Sequence, residues 1–498
     1  MNVNPITRLD YPDPDVIRVE DTYYMVSTTM HFMPGCEILQ SFDLVHWEHV
    51  TYVYETLDHT DAQQLKSGQN IYGQGMWAAS LRYHEGRFYI CFVANDTRKT
   101  YLYTSEKIDG PWKKQLIEGF YHDGSLLFDE DGRNYIVYGN DEIWITELNE
   151  DLTAPKKDGL HRLLVSDHKN PELGYEGSHI QKINGYYYIF LIHSLRDRWM
   201  RTEACFYSDS LEGEFTGGDV LCDDRGYCGQ GVAQGGIVDT PDGKWYAMLF
   251  QDSGAVGRLP ILLPVTWKDH FPFFGQNGHV PEEIEVHSTR PGYIYQPLVG
   301  SDDFCNGLLP RWQFNHDPDP RYYHLDALQG TYTITTREVC TELTQAVNTL
   351  TQRMSYPSCA AEVTVDASAL KEGDVAGLCA LQSCYAAVGI TKHHGKYEVL
   401  MLDKKEDGIL DMTEGTVVES HQMDFRLEAD FCNMKDEARC YYRVNKGDWL
   451  PIGTVHKLYF KLDHFTGCRF GLFCYAAEET GGSACFRDFK YYDVDEIS

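Results

Sequence analysis

The chain has 498 residues, with 75 acidic against 43 basic side chains and a formal net charge of −32. Such an acidic surface repels nucleic acid and anionic membranes, and no run of about eighteen apolar residues exists to cross a bilayer, so neither partner is expected. The fifteen cysteines are odd in number and contain no C-x-x-C pair. They read as small buried hydrophobes in a reducing compartment, and the opening MNVNPITRLDYPDPD lacks the pattern of a secretory signal, so the expected location is cytoplasmic.

One pattern recurs five times in the first 250 residues. It opens at Asp13 (DPDVIRVEDTYY), Trp77 (WAASLRYHEGRFY), Asp123 (DGSLLFDEDGRNY), Glu176 (EGSHIQKINGYYY) and Gln234 (QGGIVDTPDGKWY). The last four share a Gly nine residues after the start and a Tyr twelve after it; the first is one residue shorter. Glu85-Gly86, Asp131-Gly132, Asn184-Gly185 and Asp242-Gly243 fall where a tight hairpin turn belongs, between aromatic and β-branched strands. A second element, Ser41 to Trp47, Ser105 to Trp112 and Ser208 to Phe215, reads as an outer strand ending in a turn with an aromatic packing back.

Successive starts lie 64, 46, 53 and 58 residues apart, a spacing suited to four-stranded blades with variable loops. The prediction is an all-β chain whose residues 1–284 close into a five-bladed propeller. The innermost strand of each blade would line the channel, and the five opening residues would face one another around one mouth. Residues 285–301 contain Pro and Gly and read as a linker. Residues 302–498, with short strands at regular intervals, are expected to form a β-sandwich of concanavalin A-like type.

Three carboxylates at one mouth suggest chemistry, because like charges brought together cost energy unless something uses them. Glycoside hydrolysis needs one protonated carboxyl to protonate the leaving oxygen and one ionised carboxyl to activate water or attack carbon. A third acid can raise the pKa of the first.

The order and register of several motifs resemble glycoside hydrolase family 43. They are Asn4-Pro5-Ile6, Tyr11-Pro12-Asp13-Pro14-Asp15, Gly75-Met76-Trp77-Ala78, His122-Asp123-Gly124-Ser125-Leu126, Glu176-Gly177-Ser178-His179 and Gly257-Arg258. Residues 302–498 are similar to the C-terminal sandwich of β-xylosidase-like members. The resemblance implies an inverting mechanism with Asp13 as general base, Asp123 tuning the acid's pKa and orienting the sugar, and Glu176 as general acid. It also implies sugar contacts from Trp77, Phe32 and Arg258. Gln234 opens the fifth repeat where several relatives carry a His associated with a central calcium or water, which weakens any metal assignment; its place at the mouth makes it a further sugar-contact candidate. Asp15 and Glu172 are rivals of Asp13 and Glu176, and Trp77-Ala78-Ala79 departs from the family's Trp-Ala-Pro.

No metal or cofactor is expected in the chemistry. Asp302, Asp303 and Asp488 are candidates for a structural calcium ion, against the plainer reading of surface acids. The expected function is an exo-acting, inverting glycosidase that releases terminal xylose or arabinofuranose from xylan- or arabinoxylan-derived oligosaccharides. The alternatives are a terminal-sugar glycosidase acting on galactan or arabinan oligomers, a retaining enzyme, and a non-catalytic carbohydrate-binding propeller. A homo-oligomer is compatible with the sequence.

Overall fold

A computed structural model describes residues 3–493. Among these there is no α-helix; strands and four single-turn 3-10 helices make up the regular structure. Five four-stranded antiparallel sheets follow one another along the chain. Their innermost strands are Asp15–Val19, Met76–His84, Ser125–Phe128, Glu176–Ile183 and Val232–Asp239. These five strands surround a channel, and each blade packs its apolar faces on the next. The core between blades 3 and 4, for example, joins Tyr135 and Val137 to Ile180 and Ile189. Blade 5 meets blade 1 through Met248 and Leu262 against Tyr11 and Met25. The ring is tied shut by the first residues of the chain: Ile6 N–H donates to Pro260 O, and Tyr11 N–H to Arg258 O.

The repeat turns fall into two kinds. Glu85-Gly86 and Asn184-Gly185 are two-residue turns, since His84 pairs with Arg87 and Ile183 with Tyr186. Asp131-Gly132 and Asp242-Gly243 instead sit inside five-residue loops, because Phe128 pairs with Asn134 and Asp239 with Trp245. The dipeptide fixes a bend, and the residues around it decide loop length. The Ser-to-aromatic element is likewise not an outer strand. Ser41, Ser105 and Ser208 each end the third strand of a blade. Their hydroxyls accept backbone N–H groups of the turn that leads to the fourth strand, as Ser41 Oγ does from Asp43 and Leu44.

Residues 285–301 lie along blade 1 as a strap. Thr289 N–H donates to Phe42 O, Arg290 pairs with Asp21, and Tyr293 with Glu48. The remaining chain forms two stacked sheets, one of seven strands and one of nine. The edge strand of the larger sheet, Phe32–Met33, comes from blade 1 and pairs with Gln313–Asn315. The two units are therefore joined by a shared sheet and by buried polar contacts, above all Arg353 to Glu37 at 2.8 Å.

Candidate active site

Asp13 precedes the inner strand of blade 1 and is 6% exposed. Its Oδ1 accepts from Arg258 Nη1 at 3.1 Å and its Oδ2 from Thr28 Oγ1 at 2.6 Å. Both oxygens are thus oriented by fixed donors at the channel mouth. Asp15, two residues on, points into the channel and is fully buried. It is held by Arg82 at 2.8 Å, His179 at 3.1 Å and the Leu81 N–H at 2.7 Å. Burial is outweighed by Arg82 and His179, and the Asp15 carboxyl is held below its usual range. Asp15 is a structural ion pair, which separates it from its rival. Glu172 is exposed in a loop.

Asp13, Asp123 and Gln234 share a left-handed backbone, with φ of 53°, 48° and 61°. In blade 4 the equivalent kink falls on Gly177, φ 63°. The strand pairings show the same offset. Extra residues bulge out between Met76 and Ala79, Glu176 and His179, and Ala233 and Gly236. Glu176 therefore stands one residue ahead of the slot that Gln234 fills in blade 5. That places its carboxyl higher on the rim, half-buried, while Asp123 below it is buried. Gly177 is needed at the kink, because a Cβ there would meet the Gln234 side chain at 2.7 Å.

Three side chains converge at the joint of blades 3 and 4. His122 Nε2 lies 3.5 Å from Asp123 Oδ2 and 3.5 Å from Glu176 Oε2. One potential ligand atom from each of the three lies within 4.8 Å of the others. Asn140 donates to Glu176 Oε2 at 2.8 Å. Burial, opposed by His122 and assisted by Glu176 and Asp13, lifts the Asp123 carboxyl to about 6. Burial disfavours a charged His122, but the negative charges of Asp123, Glu176 and Asp13 outweigh it and raise the imidazolium to about 9. The cluster can hold a proton among two carboxyls beside a cation, while Asp13 stands apart with Arg258. His122 lay within a motif of the sequence, but nothing there marked it as a cation between two acids.

Trp77 follows in blade 2, its ring 5.8 Å from His122. Gln234 is 4% exposed, packed over Gly177, and its N–H donates to Glu203 Oε2 at 2.7 Å. Arg258 is 2% exposed. Phe32 packs in the joint between the two domains. It is 2% exposed on the strand shared with the sandwich, under the Arg469 guanidinium at 3.5 Å and against Leu343 and Phe473. Pairing with the second domain turns the ring into the joint, a contact a propeller-only reading could not anticipate.

A second aromatic at the mouth, beside Trp77, comes from the sandwich. Phe465, φ 56°, sits in the loop 462–467. Its ring lies 4.4 Å from the Arg258 guanidinium carbon and 5.6 Å from Trp77, and its carbonyl accepts from Arg258 Nη2 at 3.4 Å. Asp10 fixes this loop to blade 5: its Oδ1 accepts from Arg258 N–H and its Oδ2 from Gly467 N–H, both at 2.8 Å. No sequence signal could place one loop of a second domain over the mouth.

Asp302 and Asp303, two of the candidate calcium ligands, are engaged by the protein's own N–H groups. Both Asp302 oxygens accept protein N–H groups, from Phe304 at 2.7 Å and Trp312 Nε1 at 2.8 Å, and Asp303 accepts the Cys305 N–H. These are turn and packing bonds.

The model for glycosyl hydrolases family 43 matches residues 3–272, and that for the beta xylosidase C-terminal concanavalin A-like domain matches residues 301–492. A beta-xylosidase from Formosa agariphila is 26% identical over 554 aligned residues, covering 99% of this chain and 89% of that protein. A non-reducing end alpha-L-arabinofuranosidase from Bacteroides ovatus is 24% identical, covering 82% of this chain and 79% of that protein. Among solved structures, a bifunctional GH43-CE protein from Bacteroides eggerthii superposes with a TM-score of 0.92 at 42% identity, over 98% of this chain. This chain spans 63% of the length of that protein. With both halves matched and the three acids gathered at one mouth, the chain belongs to glycosyl hydrolases family 43 and is a glycoside hydrolase.

Proposed function

We propose that the chain is an inverting, exo-acting glycosidase that releases terminal xylose or arabinofuranose from short xylan- or arabinoxylan-derived oligosaccharides. In this reading Asp13 activates water, Glu176 protonates the leaving oxygen, and Asp123 sets the acid's proton affinity and orients the sugar. The observation that carries it is the unequal placement of the acids. Asp123 and Glu176 share the blade 3–4 joint with His122, whereas Asp13 sits two blades away on Arg258. An inverting pair needs about 6.5–9.5 Å between carboxyls to leave room for a water, and blade 5 intervenes between blades 4 and 1. Exo action is supported by the loop 462–467, which brings Phe465 against Arg258 and Trp77. Trp77, Arg258 and Gln234 would contact the terminal sugar, and no metal takes part. The relatives named beta-xylosidase and alpha-L-arabinofuranosidase favour these two sugars.

The test is a panel of chromogenic β-xylosides, α-L-arabinofuranosides and β-galactosides with the wild type and the variants Asp13→Ala and Glu176→Ala. The reading expects turnover of one of the first two classes and its loss in both variants. Near-normal turnover in the variants would contradict it.

A further inference from the structure

If Glu176 delivers the proton, the oxygen it protonates lies beside blade 4, and the departing part of the substrate must rise over that blade. The connection 195–200 joins Tyr186–Ser194 to Arg201–Ser208 in blade 4. Ile192 pairs with both Glu176 and Glu203, and Ser194 pairs with Arg201, so this connection stands just above the level of Glu176 at the same end of the blade. Among the described residues, the sandwich makes no hydrogen bond or ion pair to it. The loop 462–467 is fixed instead over blade 5 and the blade 1–2 connection, by Gly467 on Asp10, Cys468 on Ala255 O, and the Leu462 and Asp463 carbonyls against Gly73.

Trp199 in this connection is 46% exposed. About half of this large aromatic ring is thus left open to solvent above the acid. Behind it stands Arg201, 8% exposed, with its guanidinium carbon 5.2 Å from the Trp199 ring and 5.3 Å from the Phe250 ring. Arg258 lies 5.4 Å from the same Phe250 ring. A continuous wall thus runs from Asp13 through Arg258, Phe250 and Arg201 to Trp199. Arg201 Nε donates to Asp252 Oδ2 at 2.7 Å, while Nη1 and Nη2 make no hydrogen bond to the protein among the described residues. Burial disfavours its charge, but Asp252 and then the more distant Glu176 and Asp13 hold it protonated. A nearly buried guanidinium with two idle donor nitrogens, next to a bare indole, is the chemistry that grips a neutral sugar: CH groups on the aromatic face and hydroxyls on the donors.

We propose that Trp199 and Arg201 form the subsite for the leaving group, stacking and hydrogen-bonding the first neutral pyranose beyond the cleaved bond. This rests on the assignment of Glu176 as the acid. The experiment compares β-1,4-xylobiose with β-xylosyl fluoride, which deliver the same sugar to the catalytic acids but differ in having, or lacking, a sugar as leaving group. In Trp199→Ala, kcat/KM for xylobiose should fall at least tenfold further than for the fluoride, chiefly through KM, and Trp199→Phe should recover most of the loss. Arg201→Lys should show the same bias toward loss on xylobiose. Equal losses on both substrates, or no loss on either, would overturn the subsite. Glu176→Ala separates the two levels, because fluoride departs without a proton donor. If Glu176 is the acid, that variant keeps far more activity on the fluoride than on xylobiose. Equal losses in Glu176→Ala would overturn the acid assignment and the subsite with it; if the wild type turns over only arabinofuranosides, the same comparison is made with an arabinofuranosyl-xylobiose and α-L-arabinofuranosyl fluoride.

Discussion

The backbone N–H of Gly177 donates to Oδ2 of Asp123 at 3.0 Å, so the residue following the acid of blade 4 is bonded to the acid of blade 3. Ser178 adds to the joint by donating to Asp123 O at 2.6 Å. The carboxyl of Glu176 is thereby held over Asp123 by main chain, and its distance to that neighbour does not depend on side-chain freedom alone. The fold brings two acids together against their repulsion and places His122 between them.

The first consequence concerns the two outer acids. Glu176→Gln and Asp13→Asn keep the shape of each side chain and remove its proton chemistry. Each should lower kcat by roughly 10²- to 10⁴-fold on substrates with poor leaving groups. Thermal unfolding followed by circular dichroism should show that both variants remain folded.

The charge of His122 makes a prediction in pH. Its folded pKa, about 9, lies above its ordinary 6.5, so its contribution to stability is full below 6.5 and lost as pH rises through about 9. His122→Asn should therefore flatten the fall in melting temperature between pH 7 and 9. It should also free Asp123 from a cation that favours its ionised form. The basic limb of the kcat/KM profile, where the Asp123–Glu176 pair gives up its shared proton near pH 6, should then move up by about one unit.

Phe465 should matter to catalysis although it belongs to the second domain. Phe465→Ala removes the ring that faces the Arg258 guanidinium and Trp77. A partly desolvated cation–π contact is worth about 0.5–2 kcal/mol, so kcat/KM should fall by about tenfold. Phe465→Tyr should retain most of the activity, because it keeps the aromatic face.

The joint between domains has its own signature. Glu37 is fully buried, and although burial opposes its charge, Arg353 and His49 outweigh it and hold the carboxyl down to about 2. Its folded pKa is below its ordinary 4.5, so the stability it contributes is present above pH 4.5 and lost as pH falls toward 2. Glu37→Gln should lower stability at pH 7 by about 3 kcal/mol, in line with breaking a buried pair. The gap from wild type should narrow below pH 4, as read from urea unfolding at a series of pH values.

Much of this was legible in the sequence because strand repeats carry their geometry with them. The five openings define the ring and put Asp13, Asp123 and Glu176 at one mouth. Strand alternation could not by itself choose between Asp13 and Asp15, because residues two apart share a face; their partners, Arg258 and Thr28 for one and Arg82 and His179 for the other, separate them. Nor could the period show a one-residue slip within it. Glu176 shares the sequence frame of Gln234 and Asp123, yet its blade closes with a two-residue turn where theirs use five-residue loops, and the kink moves to Gly177. Contacts between domains were hidden for a different reason. Phe32 and Phe465 each lie in segments whose direction is set by the other domain, so neither the joint around Phe32 nor the place of Phe465 was foreseen.

The most direct test of the assigned roles is the configuration of the sugar at the moment of release. Proton NMR of xylobiose or an aryl β-xyloside with a large amount of enzyme resolves the two anomers before mutarotation mixes them. Water activated by Asp13 on the face opposite the leaving group predicts α-xylose first, with the β-anomer growing in later. β-Xylose appearing first would contradict that arrangement and assign one of the carboxylates to direct attack on the sugar.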